Sequence, residues 1–205
     1  MQNKITDIKQ QQKNQERFSV YVNGQYAFSL DGVDLLKESL SVGQILSESD
    51  IERIMMRSES SKCLQTALSL AQSRMYTERD LRKKLSSKGF SEDSVGFSIS
   101  ELKRYNYVDD ALFAQMYVSE VKQKYGPLKI KQKLFEKGIS SEIIAEVLQY
   151  VENTDSAVDV LRTKMRNQPI SDEDYQKALR FLAQRGFNYE QAKKTIDTYM
   201  EAFYE

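Results

Sequence analysis

Apolar residues follow two different periods in this chain, and the change falls between residues 40 and 50. Phe18-Ser19-Val20-Tyr21-Val22 and Gln25-Tyr26-Ala27-Phe28-Ser29-Leu30 are runs of β-formers separated by Asn23-Gly24, a pair that supplies the positive φ angles of a type I′ turn. They predict a hairpin with Tyr21 opposite Tyr26 and Val20 opposite Ala27. That register leaves apolar groups on both faces, and a lone hairpin of this kind is marginal in water. Lys4-Ile5-Thr6-Asp7-Ile8-Lys9 is therefore read as a third strand, and Val33 to Leu40 as a short amphipathic helix covering one side. Ser47-Glu48-Ser49-Asp50 matches a capping box ahead of Ile51, Ile54 and Met55 at helical spacing. A helix starts there and is expected to run on to Arg74, because serines such as Ser58 and Ser60 are tolerated on a solvated face.

Further along, the pattern repeats. Gly89, Gly138 and Gly186 lie 49 and 48 residues apart, and four residues before each stands Leu85, Leu134 or Leu182. Eight before stands Leu81, Ile130 or Ala178, and one after stands Phe90, Ile139 or Phe187. Val95, Ile144 and Ala192 follow at plus six, Ile99, Leu148 and Ile196 at plus ten, and Leu102, Val151 and Tyr199 at plus thirteen. Leu64, Phe113 and Leu161 align at minus twenty-five. Offsets of three and four are helical, so each unit reads as helix, short turn, helix ending near the glycine, and a third helix. Glycine ends the second helix because it adopts the left-handed conformation without a Cβ penalty, and the apolar residue after it folds back onto the last turn. Ser91, Ser140 and Asn188 are caps for the third helices. Thr77-Glu78-Arg79-Asp80 and Ser171-Asp172-Glu173-Asp174 are capping boxes for second helices, where the middle unit has Gly126-Pro127 instead.

The expected fold is mainly α: three tandem three-helix repeats forming an elongated, curved body, preceded by a small N-terminal β-hairpin and helix module. The divisions fall at 1–60, 61–109, 110–153 and 154–205. Two prolines and eight glycines among 205 residues agree with long helices and little punctuation.

Composition narrows the chemistry. Histidine is absent, which removes His-based triads and most zinc sites, and no glycine-rich phosphate cradle is present. A carboxylate-based hydrolase stays open in principle, but nothing selects a pair among 30 acidic residues. The expectation is a protein that binds rather than catalyses, without cofactor or metal. No run of about eighteen apolar residues occurs and the N-terminus is polar, which predicts a cytoplasmic chain off the membrane. Cys63, the single cysteine, sits in an apolar run and reads as a small core residue rather than a reactive thiol.

The net charge of zero conceals segregation. Residues 74–88 carry six basic and two acidic side chains, a balance of +4, and residues 122–137 carry six and one, a balance of +5. Residues 139–160 hold Glu142, Glu146, Glu152, Asp155 and Asp159 and no base, a balance of −5. A single basic cluster is most often a solvated helix face, but recurrence on equivalent helices marks a candidate stripe for phosphates or an acidic protein surface: Arg82, Lys83, Lys84, Lys88, Lys129, Lys131, Lys133 and Lys137.

Three stretches taken together resemble the RecX family, bacterial regulators of the RecA recombinase. They are Glu78 to Phe90 (ERDLRKKLSSKGF), Leu102 to Ala114 (LKRYNYVDDALFA), and Tyr125-Gly126-Pro127-Leu128-Lys129-Ile130 followed by Lys137-Gly138-Ile139. The resemblance covers roughly Leu64 to Met200, and the hairpin extension is similar to that of the longer Gram-positive members. Asn106 stands where the family usually has glycine before the tyrosine; asparagine tolerates the left-handed conformation, so the turn is expected to persist. The resemblance implies a monomer that binds the RecA filament on single-stranded DNA, lies in its groove and inhibits strand exchange, ATP hydrolysis and coprotease activity in DNA repair and the SOS response. Single- or double-stranded DNA is a further expected contact. The rival reading is a stand-alone nucleic-acid-binding helical module.

Overall fold

A computed structural model describes residues 2–12, 14–149 and 154–203, with backbone alone at 154–156. Val151 and Glu152 lie outside the described residues, and the Asp155 side chain does too. The chain folds as two compact units, Met1–Arg74 with Leu81–Tyr107, and Met75–Asp80 with Val108–Glu205.

The first unit begins with β1 (Asn3–Gln10), β2 (Arg17–Val22) and β3 (Gln25–Asp31), followed by α1 (Gly32–Lys37) and β4 (Ile45–Leu46). They form an antiparallel sheet in the order β3-β2-β1-β4. Asn23 and Gly24 have φ of 51° and 79°, as the type I′ turn requires. Tyr21 pairs with Tyr26 as expected, but Val20 pairs with Phe28, because the ladder shifts by one residue at Ala27. That bulge is the correction the hairpin needed. A one-residue shift moves every later side chain to the other face, so Phe28 and Leu30 join Val20 and Val22 in a single buried layer. The buried layer thus lies on one side of the sheet, and Tyr21 and Tyr26 pack edge to face outside it. The helix expected over Val33 to Leu40 is shorter, closing at Glu38 ahead of Ser39 with φ 50°.

α2 (Glu48–Ser73) is one continuous helix with the Ser47–Asp50 capping box in place. Its first half covers the sheet, where Ile54 joins the buried layer and Ser58 Oγ donates to Ser29 O at 3.0 Å. Its second half, with Cys63 and Ala67 buried, packs on α4 (Glu92–Arg104). Burial pushes the Cys63 thiol up from its ordinary range, away from thiolate chemistry. α3 (Glu78–Ser86) completes the first three-helix repeat, and Leu81 and Leu85 are its buried positions.

The second repeat consists of α5 (Asp110–Val121), α6 (Pro127–Glu136) and α7 (Ser141–Leu148), and the third of α8 (Thr154–Met165), α9 (Asp172–Gln184) and α10 (Tyr189–Glu201). Gly89, Gly138 and Gly186 are all left-handed, with φ of 87°, 84° and 89°. Ser91, Ser140 and Asn188 each accept a hydrogen bond from an amide of the helix that follows. The alignment at minus twenty-five is weaker in the structure: Leu161 is buried, whereas Leu64 and Phe113 are only partly so. The connection between first and second helices lengthens from residues 74–77 to 122–126 to 166–171, so offsets counted from the glycine drift across the first helix.

Within the second unit, repeats meet through helix ends. The amides of Gly126 and Leu128, at the start of α6, donate to the carbonyls of Arg185 and Gly186 beyond the end of α9, at 2.8 and 3.1 Å. A Cβ on Gly126 would lie 2.5 Å from Gly186 O, and one on Gly186 2.3 Å from Lys129 N. The end of α6 is met in the same way by Met75–Asp80: Thr77 Oγ1 donates to Lys137 O at 2.9 Å and accepts from Asp80 N at 3.1 Å. Asp109 caps its own helix through Ala111 N and Leu112 N, while Asp110 accepts from Glu78 N at 2.8 Å.

Gly186→Ala meets both the left-handed penalty and the Lys129 backbone, and is expected to lose roughly 2 kcal/mol or more; Gly89→Ala, with open space at its Cβ, is expected to lose about 1 kcal/mol in denaturant unfolding. Glu38 accepts from Arg53 at 2.7 Å and Arg57 at 2.8 Å, chiefly the former, and these hold its carboxyl below its ordinary value near 4.5. The lowered pKa makes the contribution complete above the ordinary value and lost as pH falls through the folded one. Glu38→Gln should therefore cost about 1–2 kcal/mol at neutral pH, with the gap to wild type closing as urea titrations move into acid.

Candidate functional site

Leu81, Leu85, Ile130 and Leu134 take the inward faces of α3 and α6, so the lysines between them must point elsewhere. In the first unit, Lys83 and Lys84 are exposed on α3 and Lys88 is exposed just past its end. Arg82 is partly buried and turned to Glu92 across the turn to α4. In the second unit, Lys129, Lys133 and Lys137 recur every four residues and form one row along α6. Lys131 falls on another side of the same helix and is exposed there. The structure therefore brings three of the four α6 lysines together and separates the fourth.

The row is supported from below by aromatic rings. Lys133 Nζ lies 5.2 Å from the Tyr125 ring centroid, and Lys137 Nζ lies 5.4 Å from that of Phe113, distances at which the ring quadrupole attracts a cation. Lys129 Nζ donates to Gln132 Oε1 at 3.2 Å, and Lys137 also pairs with Asp80 at 3.6 Å. Phe113 stacks on Tyr117, with centroids 6.2 Å apart and planes 10° from parallel. Burial pushes the Tyr117 hydroxyl pKa up, against the opposing pull of the positive charge of Lys133. Sequence periodicity did not expose this pairing of ring and cation, because Phe113 and Tyr125 sit outside α6.

Glu142 and Glu146 are exposed on α7, and Asp159 on α8 pairs with Arg162 at 3.0 Å. Among the described residues, no group of three His, Cys, Asp or Glu side chains could hold a metal, and no helix is long and apolar enough to cross a membrane. What this surface offers is positive charge on aromatic support, suited to holding anionic groups.

Profiles of four domains match the chain in order. The N-terminal domain of regulatory protein RecX matches residues 3–47, and the first, second and third three-helix domains of RecX match residues 63–102, 109–148 and 151–196. The chain belongs to the RecX family. The regulatory protein RecX of Clostridium perfringens strain SM101 is 31% identical over 194 residues, covering 91% of this chain and 92% of its own. That of Listeria monocytogenes EGD-e is 32% identical over 199 residues, covering 93% and 73%. A crystal structure of regulatory protein RecX superposes with a TM-score of 0.73 at 27% identity, covering 95% of this chain and 99% of that one. RecX from Lactobacillus salivarius, at 23% identity and a TM-score of 0.62, shares the fold over 69% of this chain. The mainly helical, three-domain architecture expected from the repeats is thus that of RecX proteins. Asn106, with φ 58°, keeps the left-handed turn despite the missing glycine.

The geometry separates lysines that composition treats alike. Lys133→Glu should lower the salt concentration at which the protein elutes from a heparin column more than Lys131→Glu does, although both change the net charge equally.

Proposed function

We propose that this chain regulates the RecA recombinase by binding the RecA filament on single-stranded DNA and lowering its strand exchange, ATP hydrolysis and coprotease activity. The observation that carries the reading is the match of all four RecX domains, in order, along the chain. The basic side chains support it. A filament of protein and nucleic acid presents acidic side chains and phosphates together, and Lys83, Lys84 and Lys88 in one unit and Lys129, Lys133 and Lys137 in the other carry charge suited to either. Arg82, paired with Glu92, lies on the same helix as Lys83 and Lys84, and Lys131 adds charge on another side of α6. The protein acts as a cytoplasmic monomer, by occupancy rather than by chemistry, and needs no cofactor.

A second reading draws on one specific observation, the lysines held over Tyr125 and Phe113, since cations interleaved with rings also suit bare single-stranded nucleic acid. The two differ in what is inhibited and how. The regulator is expected to suppress RecA's DNA-dependent ATPase at substoichiometric amounts, and reversing Lys129, Lys131 and Lys133 together to Glu should weaken that suppression about tenfold or more. An ATPase unchanged at equimolar protein would remove the proposal. Suppression that tracks only the coverage of naked DNA, and vanishes with added salt, would favour the second reading.

A further inference from the structure

α5 is apolar on two sides. Ala114, Val118 and Val121 are buried in the core of the second repeat and Phe113 and Tyr117 pack against it partly buried, while Leu112 and Met116 occupy the other side. Here Met116 remains 54% exposed and Leu112 46%. Together with Met75, Phe113 and Tyr117, Met116 lines an open cavity of about 530 Å³ within the second unit. Lys137 borders it over Phe113, Lys133 lies over the nearby Tyr125 ring, and Glu120 lies on the lining.

We propose that this cavity is the docking site for an acidic protein segment that inserts a bulky apolar side chain, Phe or Leu, between Met75 and Met116. This deepens the protein-binding reading above and rests on it. Three features select that occupant. The two methionines are unbranched and polarizable, and such side chains reshape around an inserted apolar group. Phe113 is already covered by Tyr117 and by Lys137 Nζ, so the cavity offers ring edges and thioethers rather than the open flat face on which a nucleobase stacks. The charge beside the cavity is uneven: Lys133, over Tyr125, and Lys137, over Phe113 and paired also with Asp80, come from the α6 side, whereas Glu120 lies on the lining, so the acidic flank of the segment lies along α6.

The test uses the full chain and a fluorescein-labelled peptide, DDEFLEDD, followed by anisotropy. Saturable binding below about 1 mM is expected, weakened about tenfold by Met116→Glu and by Lys133→Glu but less than twofold by Lys194→Glu, an exposed charge on α10 that does not line the cavity. Met116 is exposed and Lys133 partly so, and unaltered circular dichroism checks folding. No saturation by the wild type, equal affinity of Met116→Glu, or equal binding of DDESSEDD would overturn the proposal. Stronger binding of oligo(dT) that is lost in Met116→Glu would overturn it too, in favour of nucleic acid. A separate arm measures co-sedimentation with RecA filaments: a wild type that binds peptide but not filaments supports the cavity and removes RecA as the partner. Filament binding retained by Met116→Glu preserves RecA and removes the cavity.

Discussion

The carbonyl groups left over where a second helix ends constrain the second unit more than any other feature. An α-helix leaves its last carbonyls without intrahelical donors, and burying them unpaired is costly. Here the backbone amides at the start of α6 take the carbonyls of Arg185 and Gly186, and the Thr77 hydroxyl takes that of Lys137. Such a close approach is possible because positions 126 and 186 carry no Cβ. The joint also sets positive and negative ends of helices against each other, a favourable arrangement of dipoles. Once it is made, Thr77, Gly126, Pro127, Gly138 and Gly186 are committed to structure, and so are Asp109 and Asp110 as caps. Recognition falls to the side chains between them.

The first unit solves a different problem. A small sheet cannot stand alone in water, and this one gains its cover from a helix that also belongs to the neighbouring three-helix repeat. α2 carries Ile54 into the sheet's buried layer and, further along, Cys63 and Ala67 against α4. The division expected between residues 60 and 61 falls inside that continuous helix. Glu38, clamped by Arg53 and Arg57, ties the end of α1 to the same helix.

Charge and apolar surface converge in the second repeat. The Lys129, Lys133 and Lys137 row gives the field, the rings of Tyr125 and Phe113 hold two of its cations in place, and α5 presents apolar side chains beside it. Cations fixed over rings lose less freedom on meeting an anion than free lysines do, and an apolar anchor next to them adds short-range specificity to long-range attraction.

Local rules settle much of this protein from its sequence. Asn23-Gly24 dictates a hairpin turn, Ser47 to Asp50 a helix start, and three glycines followed by apolar residues dictate three helix ends, because each depends only on φ, ψ and a few neighbouring atoms. The inward leucines and isoleucines follow from the 3.6-residue period. Other features are decided only by the tertiary structure. The bulge at Ala27 is selected by which face of the sheet α2 covers, since the turn alone is compatible with either register. The removal of Lys131 from its neighbours needs the helix phase, the cation–ring contacts need α5 and α6 packed together, and the joining of helix ends needs two repeats in place. These depend on atoms distant in sequence, for which a one-dimensional pattern holds no distance.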